Sequence, residues 1–366
     1  MNPVKTLCFL NYPSHYRENI YLALEKELNC DFVFGNLGNS NIKKIEKNKF
    51  KNPYVLLQTK YLFKSINYIK GGLKYCFKPY NKYLLTGEYY CITVWLQLIL
   101  NLFLGKKTYL WTHGWYGNEG FFKKIIKKTF FGLSSGVFLY GEYAKEKMIE
   151  NGFKESKLHV IFNSLDYTNQ LKHRKQLTKN NVFLDKFTNR NPTLIFIGRL
   201  TKVKKLEQVI TAKINCKTAF NLVFIGNGEE KENLENLVTK HDIKHTTWFY
   251  GACYNESELA SLIYNADICV SPGNVGLTAM HSLMYGTPVI THNNFANQMP
   301  EFESIVENET GFFFEENDIE SLSKVIEQSL AKITVNKEFY KQKCYEVIDK
   351  FYNPNYQMSI FKKHLS

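Results

Sequence analysis

Three stretches of this sequence place glycines and cations directly behind runs that read as buried strands. "FIGRLTKVKKL" sets Gly198 and Arg199 at the end of one such run, with Lys204 at the entry to the next helical period. A guanidinium and an ammonium beside a glycine turn suit a diphosphate, which takes charge-assisted hydrogen bonds from both; a solvated basic loop has the same composition. "FIGNGEEKENL" repeats the order around Asn227, although a lone G-x-G also marks a tight structural turn. In "SPGNVGLTAMHSLMYGTPVI", Gly273, Asn274, Val275 and Gly276 lead into Leu277 and Thr278. Converging backbone N–H groups and the positive end of a helix favour an anion there. His281 is the one titratable residue of that helical run. Three such junctions in one half of the chain point to a single nucleotide-like ligand.

The other half offers different chemistry. "YLWTHGWYG" places His113 and Gly114 at a strand's carboxyl end among aromatics, and "NYPSHYRENI" places His15, Tyr16 and Arg17 on the exit loop of the first strand. The latter three either meet a second substrate or cap a helix. "FFKKIIKKTFFG" sets Lys123, Lys124, Lys127 and Lys128 beside Phe121, Phe122, Ile125 and Phe130. That pattern fits an amphipathic helix lying on anionic lipid, or a core-packed helix with a wet basic edge. D-x-D, H-E-x-x-H and grouped Cys/His ligands are missing from the sequence, as are a P-loop and a G-x-S-x-G elbow, so no metal site is visible.

The elements that must hold these residues alternate regularly. "VKTLCFLNY", "CDFVFG", "KYLLTG", "KTYLWTHG", "SSGVFLYG" and "KLHVIFN" read as strands separated by helical periods, and the rhythm restarts at "PTLIFIGRL". Strands alternating with helices predict parallel sheets covered on both faces, with ligands outside the strands' carboxyl ends. The expected organisation is α/β: two Rossmann-like doubly wound domains in series, 1–170 and 192–340, facing a cleft. The polar stretch 171–191 reads as the linker. A helical tail is interrupted at Asn353-Pro354, with 341–366 expected to cross back onto the first domain. The longest apolar stretch, "CITVWLQLILNLFLG", is short of the roughly 20 residues a spanning helix needs; it reads as a buried helix, or alternatively as a membrane-touching segment.

The charge of +13 on 366 residues is uneven. Residues 1–170 hold 24 Lys and Arg against 12 Asp and Glu, and the remainder 23 against 22. The basic half is expected to meet something anionic: nucleic acid, a membrane surface or a pyrophosphate-bearing substrate. No recognised nucleic-acid module accompanies it, so nucleic acid is not expected as a partner. The eight cysteines form no framework and read as buried free thiols in a reducing compartment. The N-terminal "MNPVKTLCFLNYPSHY" lacks the apolar core of a signal peptide.

Together these motifs resemble the retaining GT-B glycosyltransferases of the large family numbered four, the glycosyl transferases group 1. "GRLTKVKK" is similar to that family's G-R-L-x-x-x-K-G, with Lys205 where the second glycine stands. "LVFIGNGEE", "WFYGACYNESELASLIYNADICVSPG", "GLTAMHSLMYGTPVI" and "MPEFESIVENETGFFF" follow in the family's order; "THG" and "VIFNSLD" match more loosely. The resemblance implies a GT-B fold and metal-independent transfer of a sugar, with retention, from a nucleotide-sugar donor in the second domain to a glycan acceptor on the first. It implies that Arg199 and Lys204 neutralise the departing diphosphate and that His113 lies near the transferred sugar, these three being the catalytic set. Gly198, Asn227, Gly273, Asn274, Val275, Gly276, Leu277, Thr278 and His281 would hold the donor, and His15, Tyr16 and Arg17 the acceptor. No cofactor or metal is expected. The acceptor is expected to be a lipid-linked glycan of cell-surface polysaccharide or lipopolysaccharide synthesis. The protein would sit peripherally on the cytoplasmic face of the cell membrane, through the four lysines. The family's two glutamates, eight positions apart, are Gly273 and His281 here. That departure leaves a catalytically degenerate sugar-nucleotide-binding copy as one alternative; a GT-B-fold sugar-nucleotide epimerase is another, although the missing acidic pair makes acid/base work on the sugar ring harder to assign.

Overall fold

The short apolar runs fold as strands buried on both faces, and the helical periods between them form the crossovers. The structure, a computed structural model, describes residues 5–36 and 43–366. They divide into two units: residues up to 166 together with 353–366, and residues 167–352.

The first unit holds β1 (Thr6–Leu10), β2 (Asp31–Asn36), β3 (Val55–Phe63), β4 (Ile66–Ile69), β5 (Lys82–Thr86), β6 (Lys107–Thr112), β7 (Gly136–Leu139) and β8 (Leu158–Val160). They lie in the order 4-3-2-1-5-6-7-8. All neighbours pair in parallel except the β3–β4 hairpin. That hairpin escapes sequence reading because Tyr61, Leu62, Phe63 and Ile66 are exposed, so no alternation marks it. Helices α1 (Glu18–Leu28), α2 (Ile92–Phe103), α3 (Phe121–Gly132) and α4 (Glu142–Glu150) complete the crossovers. Strand order reverses between β1 and β5, which opens a crevice outside their carboxyl ends.

Helix α2 departs from the expected buried helix. It buries Thr93, Gln97 and Asn101, while Ile92, Leu96, Leu102 and Phe103 face outward. The polar side chains have partners inside: Gln97 donates to the Gly72 carbonyl at 3.1 Å, Asn101 to Thr108 Oγ1 at 3.2 Å, and Ile69 N to Thr93 Oγ1 at 2.9 Å. These bonds fix the inward face and turn the aliphatic face out.

The second unit runs α5 (Tyr167–Gln176), α6 (Val182–Phe187), β9 (Thr193–Ile197), α7 (Glu207–Asn215), β10 (Asn221–Ile225), α8 (Lys231–Lys240), β11 (Thr247–Gly251), α9 (Glu256–Asn265), β12 (Ile268–Ser271), α10 (Leu277–Met284), β13 (Val289–His292), β14 (Gly311–Phe314) and α11 (Ile319–Phe351). Its sheet has the order 11-10-9-12-13-14, parallel throughout. Leu194, Phe196, Leu222, Phe224, Ile268 and Val270 form its centre, covered by Val209 and Ile210 of α7 and by Leu322 and Ile326 of α11. The order reverses between β9 and β12, whose exit loops carry Gly198–Lys204 and Gly273–Gly276.

Two expected boundaries are corrected. Residues 171–191 are not a free linker. Helix α5 bonds to its own unit through Gln170 on Glu256 (3.0 Å) and Arg174 on Asp349 (2.7 Å), and α6 buries Phe183 and Phe187. The C-terminal segment divides at 352/353 rather than at 341: α11 kinks at Asn336 (φ −127°, ψ 38°), and the part beyond the kink continues to Phe351 within the second unit. Asn353 then caps α12 (Pro354–Leu365), accepting from Tyr356 N at 3.0 Å with Pro354 in the first turn. Met358, Phe361 and Leu365 of α12 pack into the first unit's core beside Ile20, Leu24, Trp111 and Phe138.

Candidate functional site

In the second unit, main-chain bonds knit the three glycine junctions together. Leu200 N donates to the Asn227 carbonyl at 3.0 Å, and Gly198 N to the Ile225 carbonyl at 3.0 Å. Gly273 N donates to the Lys204 carbonyl at 2.9 Å. These contacts need glycine. A Cβ at Gly273 would collide with the Val203 carbonyl oxygen, and one at Gly226 with the Gly198 carbonyl oxygen. Position 273 therefore has no room for a side chain: the β12 exit loop lies directly on the Lys204 turn.

Arg199 is exposed beside this seam, and Asn227 is exposed at the next junction. Lys204 is held back: its Nζ donates to the Asn274 carbonyl at 2.5 Å and to Asn274 Oδ1 at 2.8 Å. Burial lowers its ammonium from 10.5 to about 8; the buried Glu301 carboxylate opposes that shift and Arg199 adds to it. Lys205 has the left-handed backbone that favours glycine (φ 50°). Its Nζ lies 2.9 Å from Glu316 and 2.7 Å from Asn317 Oδ1.

Helix α10 begins at Leu277 behind Gly276 (φ 53°). Val275 and Gly276 are buried. Thr278 donates its hydroxyl proton to the Ile197 carbonyl at 2.7 Å, tying α10 to the end of β9. His281 is turned toward α5 and α9: its Nδ1 lies 3.4 Å from Gln170 Nε2, which also bonds Glu256. Burial lowers the imidazole's affinity for a second proton, and Glu256 partly offsets this. Gln298 organises the loop and was not legible in sequence. Its Oε1 accepts from Val275 N at 2.8 Å, while its Nε2 donates to Thr291 Oγ1 at 2.9 Å and to the His292 carbonyl at 3.0 Å. It sits in a polar loop without periodicity, so nothing in its neighbourhood singles it out.

In the first unit, a cavity of about 320 Å³ lies at the carboxyl ends of β1, β5, β6 and β7. Arg17 and His113 line it together with Trp111, Tyr140 and Glu88. His15 and Tyr16 do not line it: His15 is exposed, with Nδ1 3.2 Å from the Lys43 carbonyl. The Arg17 guanidinium lies 5.2 Å from the Trp111 ring centre and 5.4 Å from that of Tyr140. His113 is held neutral: burial, then Arg17 and Lys127, bring it from 6.5 to about 4. Glu88, which sequence reading passed over, is raised by burial and accepts from Asn11 Nδ2 at 2.5 Å.

The four lysines of α3 separate. Lys123, Lys124 and Lys128 are exposed, but Lys127 is 2% exposed and bonds Glu119 at 2.6 Å. Glu119 also accepts from the N–H groups of Tyr116 and Gly117, each at 2.9 Å. Lys127 is therefore an internal pair holding the loop behind β6, and not a surface contact. Phe121, Phe122, Ile125 and Ile126 face outward, and α3 packs on α2 through Phe130 and Trp95, 5.0 Å apart. Among the described residues, no helix is long and apolar enough to cross a membrane, and no three His, Cys, Asp or Glu side chains are grouped as a metal ion requires.

Residues 179–343 match the sequence model of the glycosyl transferases group 1 family. The chain is 31% identical over 166 residues to an uncharacterized glycosyltransferase of Haemophilus influenzae, covering 42% of each protein. It is 24% identical over 270 residues to the capsular polysaccharide biosynthesis glycosyltransferase CapM of Staphylococcus aureus, covering 65% of this chain and 66% of that one. It spans less than half the length of the first curated relatives it matches. The fold is that of Anabaena HepE, solved in complex with UDP, with a TM-score of 0.74 at 14% identity over 98% of this chain and 99% of that one.

Proposed function

With residues 179–343 belonging to the glycosyl transferases group 1 family, we propose that the protein is a glycosyltransferase. In this reading it moves a sugar, with retention and without a metal, from a nucleotide-sugar donor on the second unit to a glycan acceptor on the first. The observation that carries it is the meeting of Arg199, Lys204 and the Gly273–Gly276 turn where strand order reverses. Bond breaking between the sugar's anomeric carbon and the diphosphate oxygen places charge on the departing diphosphate. Two cations at that point, Lys204 held by Asn274 and Arg199 exposed beside it, lower the barrier by electrostatic stabilisation. The acceptor hydroxyl forms the new bond and gives its proton to the leaving diphosphate. Thermal shift and then donor hydrolysis, run over a panel of UDP-, GDP- and other nucleotide sugars, test the reading. No stabilisation by any member would overturn it.

We read the acceptor as a lipid-linked glycan, as in capsule or lipopolysaccharide synthesis, with the protein peripheral on the cytoplasmic membrane face. The outward apolar faces of α2 and α3 beside Lys123, Lys124 and Lys128 support a membrane contact. Liposome sedimentation tests it: binding to anionic vesicles should fall when the three lysines become glutamates, and equal binding to neutral vesicles would overturn it.

A second reading, a sugar-nucleotide-binding copy without turnover, is favoured by one observation. Position 273 has no room for a carboxylate, and Lys204 is bonded to Asn274. Donor binding without hydrolysis or transfer would select it.

A further inference from the structure

The first unit's cavity carries buried polar atoms that its own side chains leave unsatisfied. Among the described residues, Trp111 Nε1 and His113 Nδ1 are buried without a hydrogen-bond partner, and buried Arg17 Nε forms no well-aligned bond although the Tyr21 hydroxyl lies close to the guanidinium; Arg17, Trp111 and His113 line the same space. Arg Nε–H and Trp Nε1–H can only donate. A buried donor left unpaired costs its full desolvation, so whatever fills this space must offer acceptors. Arg17 also brings a positive charge, and no carboxylate lies within ion-pairing distance of it among the described residues. A group with several acceptor oxygens and a negative charge answers both requirements. The same space holds the one chemistry that Arg17 and Trp111 lack. Glu88, fixed by Asn11, presents a carboxyl group able to accept from hydroxyls. A volume of about 320 Å³ admits a monosaccharide unit, and the Trp111 and Tyr140 rings supply apolar walls.

We propose that this cavity binds an acidic sugar, its carboxylate or phosphate taken by Arg17 and the Trp111 indole N–H and its hydroxyls by Glu88. The glycan acceptor would then carry an anionic unit. The inference rests on the proposed transfer reaction for calling this ligand an acceptor, and on the cavity alone for its chemistry.

Titration calorimetry on the full chain tests it directly, with glucuronate, glucose 6-phosphate, glucose and inorganic phosphate as probes. At least one acidic sugar should bind about tenfold or more tighter than glucose, the scale of a charge-assisted bond, and tighter than inorganic phosphate. Comparing the two acidic sugars tells carboxylate from phosphate. Arg17→Gln should abolish the preference and Arg17→Lys keep part of it. Trp111→Phe, which keeps an aromatic ring but loses the pyrrole with its N–H donor, should weaken it and serves if Arg17→Gln does not fold. Equal binding of glucose, equal binding of inorganic phosphate, no binding of either acidic sugar, or a preference surviving both Arg17→Gln and Trp111→Phe would each overturn the inference. Nucleotide-sugar hydrolysis by the same preparation separates the two ideas. Hydrolysis without acidic-sugar binding removes this inference and leaves the transferase. Acidic-sugar binding without any nucleotide-sugar binding removes the transferase.

Discussion

The main chain of Gly273 rests on that of Lys204: its N–H donates to the Lys204 carbonyl at 2.9 Å, with no room for a Cβ between the two loops. A side chain placed here must therefore push the two loops apart. Gly273→Glu should part the β9 and β12 exit loops, lowering stability by about 1–3 kcal/mol, the usual cost of overpacking. It should also lower donor affinity, because Lys204 and Asn274 lose their register. Gly273→Ala should show the same sign at smaller size. Thermal melting and nucleotide titration check both, and an unchanged melting temperature in Gly273→Glu would contradict the geometry.

Arg199→Ala and Lys204→Ala should each reduce transfer by roughly 100-fold, the scale of losing one preorganised charge contact. Arg199 is exposed, so its replacement should leave the fold intact. Wild-type rates in both variants would remove the donor assignment.

The pH dependence of the donor site follows from burial of Lys204. Its ammonium, lowered to about 8, is charged below that pH, so donor binding should fall as pH rises through 8. Stability should move the opposite way. Between about 8 and 10.5 the unfolded chain holds the proton and the native chain does not, so this residue's contribution rises with pH. Lys204→Arg, whose guanidinium stays charged, should remove the alkaline limb of binding. Nucleotide titration from pH 6 to 10 on both proteins is the measurement.

Lys127 and its neighbours on α3 should respond in opposite fashion. Lys127→Ala leaves Glu119 buried and unpaired and should cost about 3–5 kcal/mol. Replacing Lys123, Lys124 and Lys128 should leave thermal stability within about 0.5 kcal/mol. Sequence pattern alone treats the four lysines alike. The spacing reveals an amphipathic helix, but not that Glu119, before its first residue, reaches back to bond the lysine on its inner face.

The same limit explains what was legible and what was not. Parallel sheets write themselves into short apolar runs, so both doubly wound units, and the junctions around Gly198 and Gly273, follow from local pattern. Boundaries do not. Whether 171–191 hangs free depends on Phe183, Phe187 and Arg174 finding distant partners, and beyond its kink at Asn336 helix α11 stays with its own unit to Phe351, burying Cys344 and Ile348. Glu88 and Gln298 escape for one reason: each acts through residues remote in sequence, and no motif surrounds it; Trp111 stands inside "YLWTHGWYG", but only the fold brings its indole N–H to the same space as Arg17. Helix α2 misled in the opposite direction, since an apolar stretch looks buried until its few polar residues are seen bonding inward.

His281 allows the sharpest separation of nucleotide contact from packing. Its ring shares Gln170 with the Glu256 carboxylate, and Tyr285 donates to that same carboxylate at 2.5 Å. His281→Glu would set a second carboxylate beside Glu256 in a buried place, where like charges raise the affinity for a proton. A carboxyl whose folded-state pKa is raised contributes its stability below its unfolded value and loses it as pH rises through the folded one. The variant should therefore melt closer to the wild type near pH 4 than at pH 8. His281→Gln keeps a hydrogen-bonding partner for Gln170 without the charge and should fold normally at both. If the residue contacts the nucleotide, donor affinity falls in His281→Gln at unchanged melting temperature. If it only packs α10 against α5, the melting temperature falls and donor affinity, measured on the folded fraction, stays.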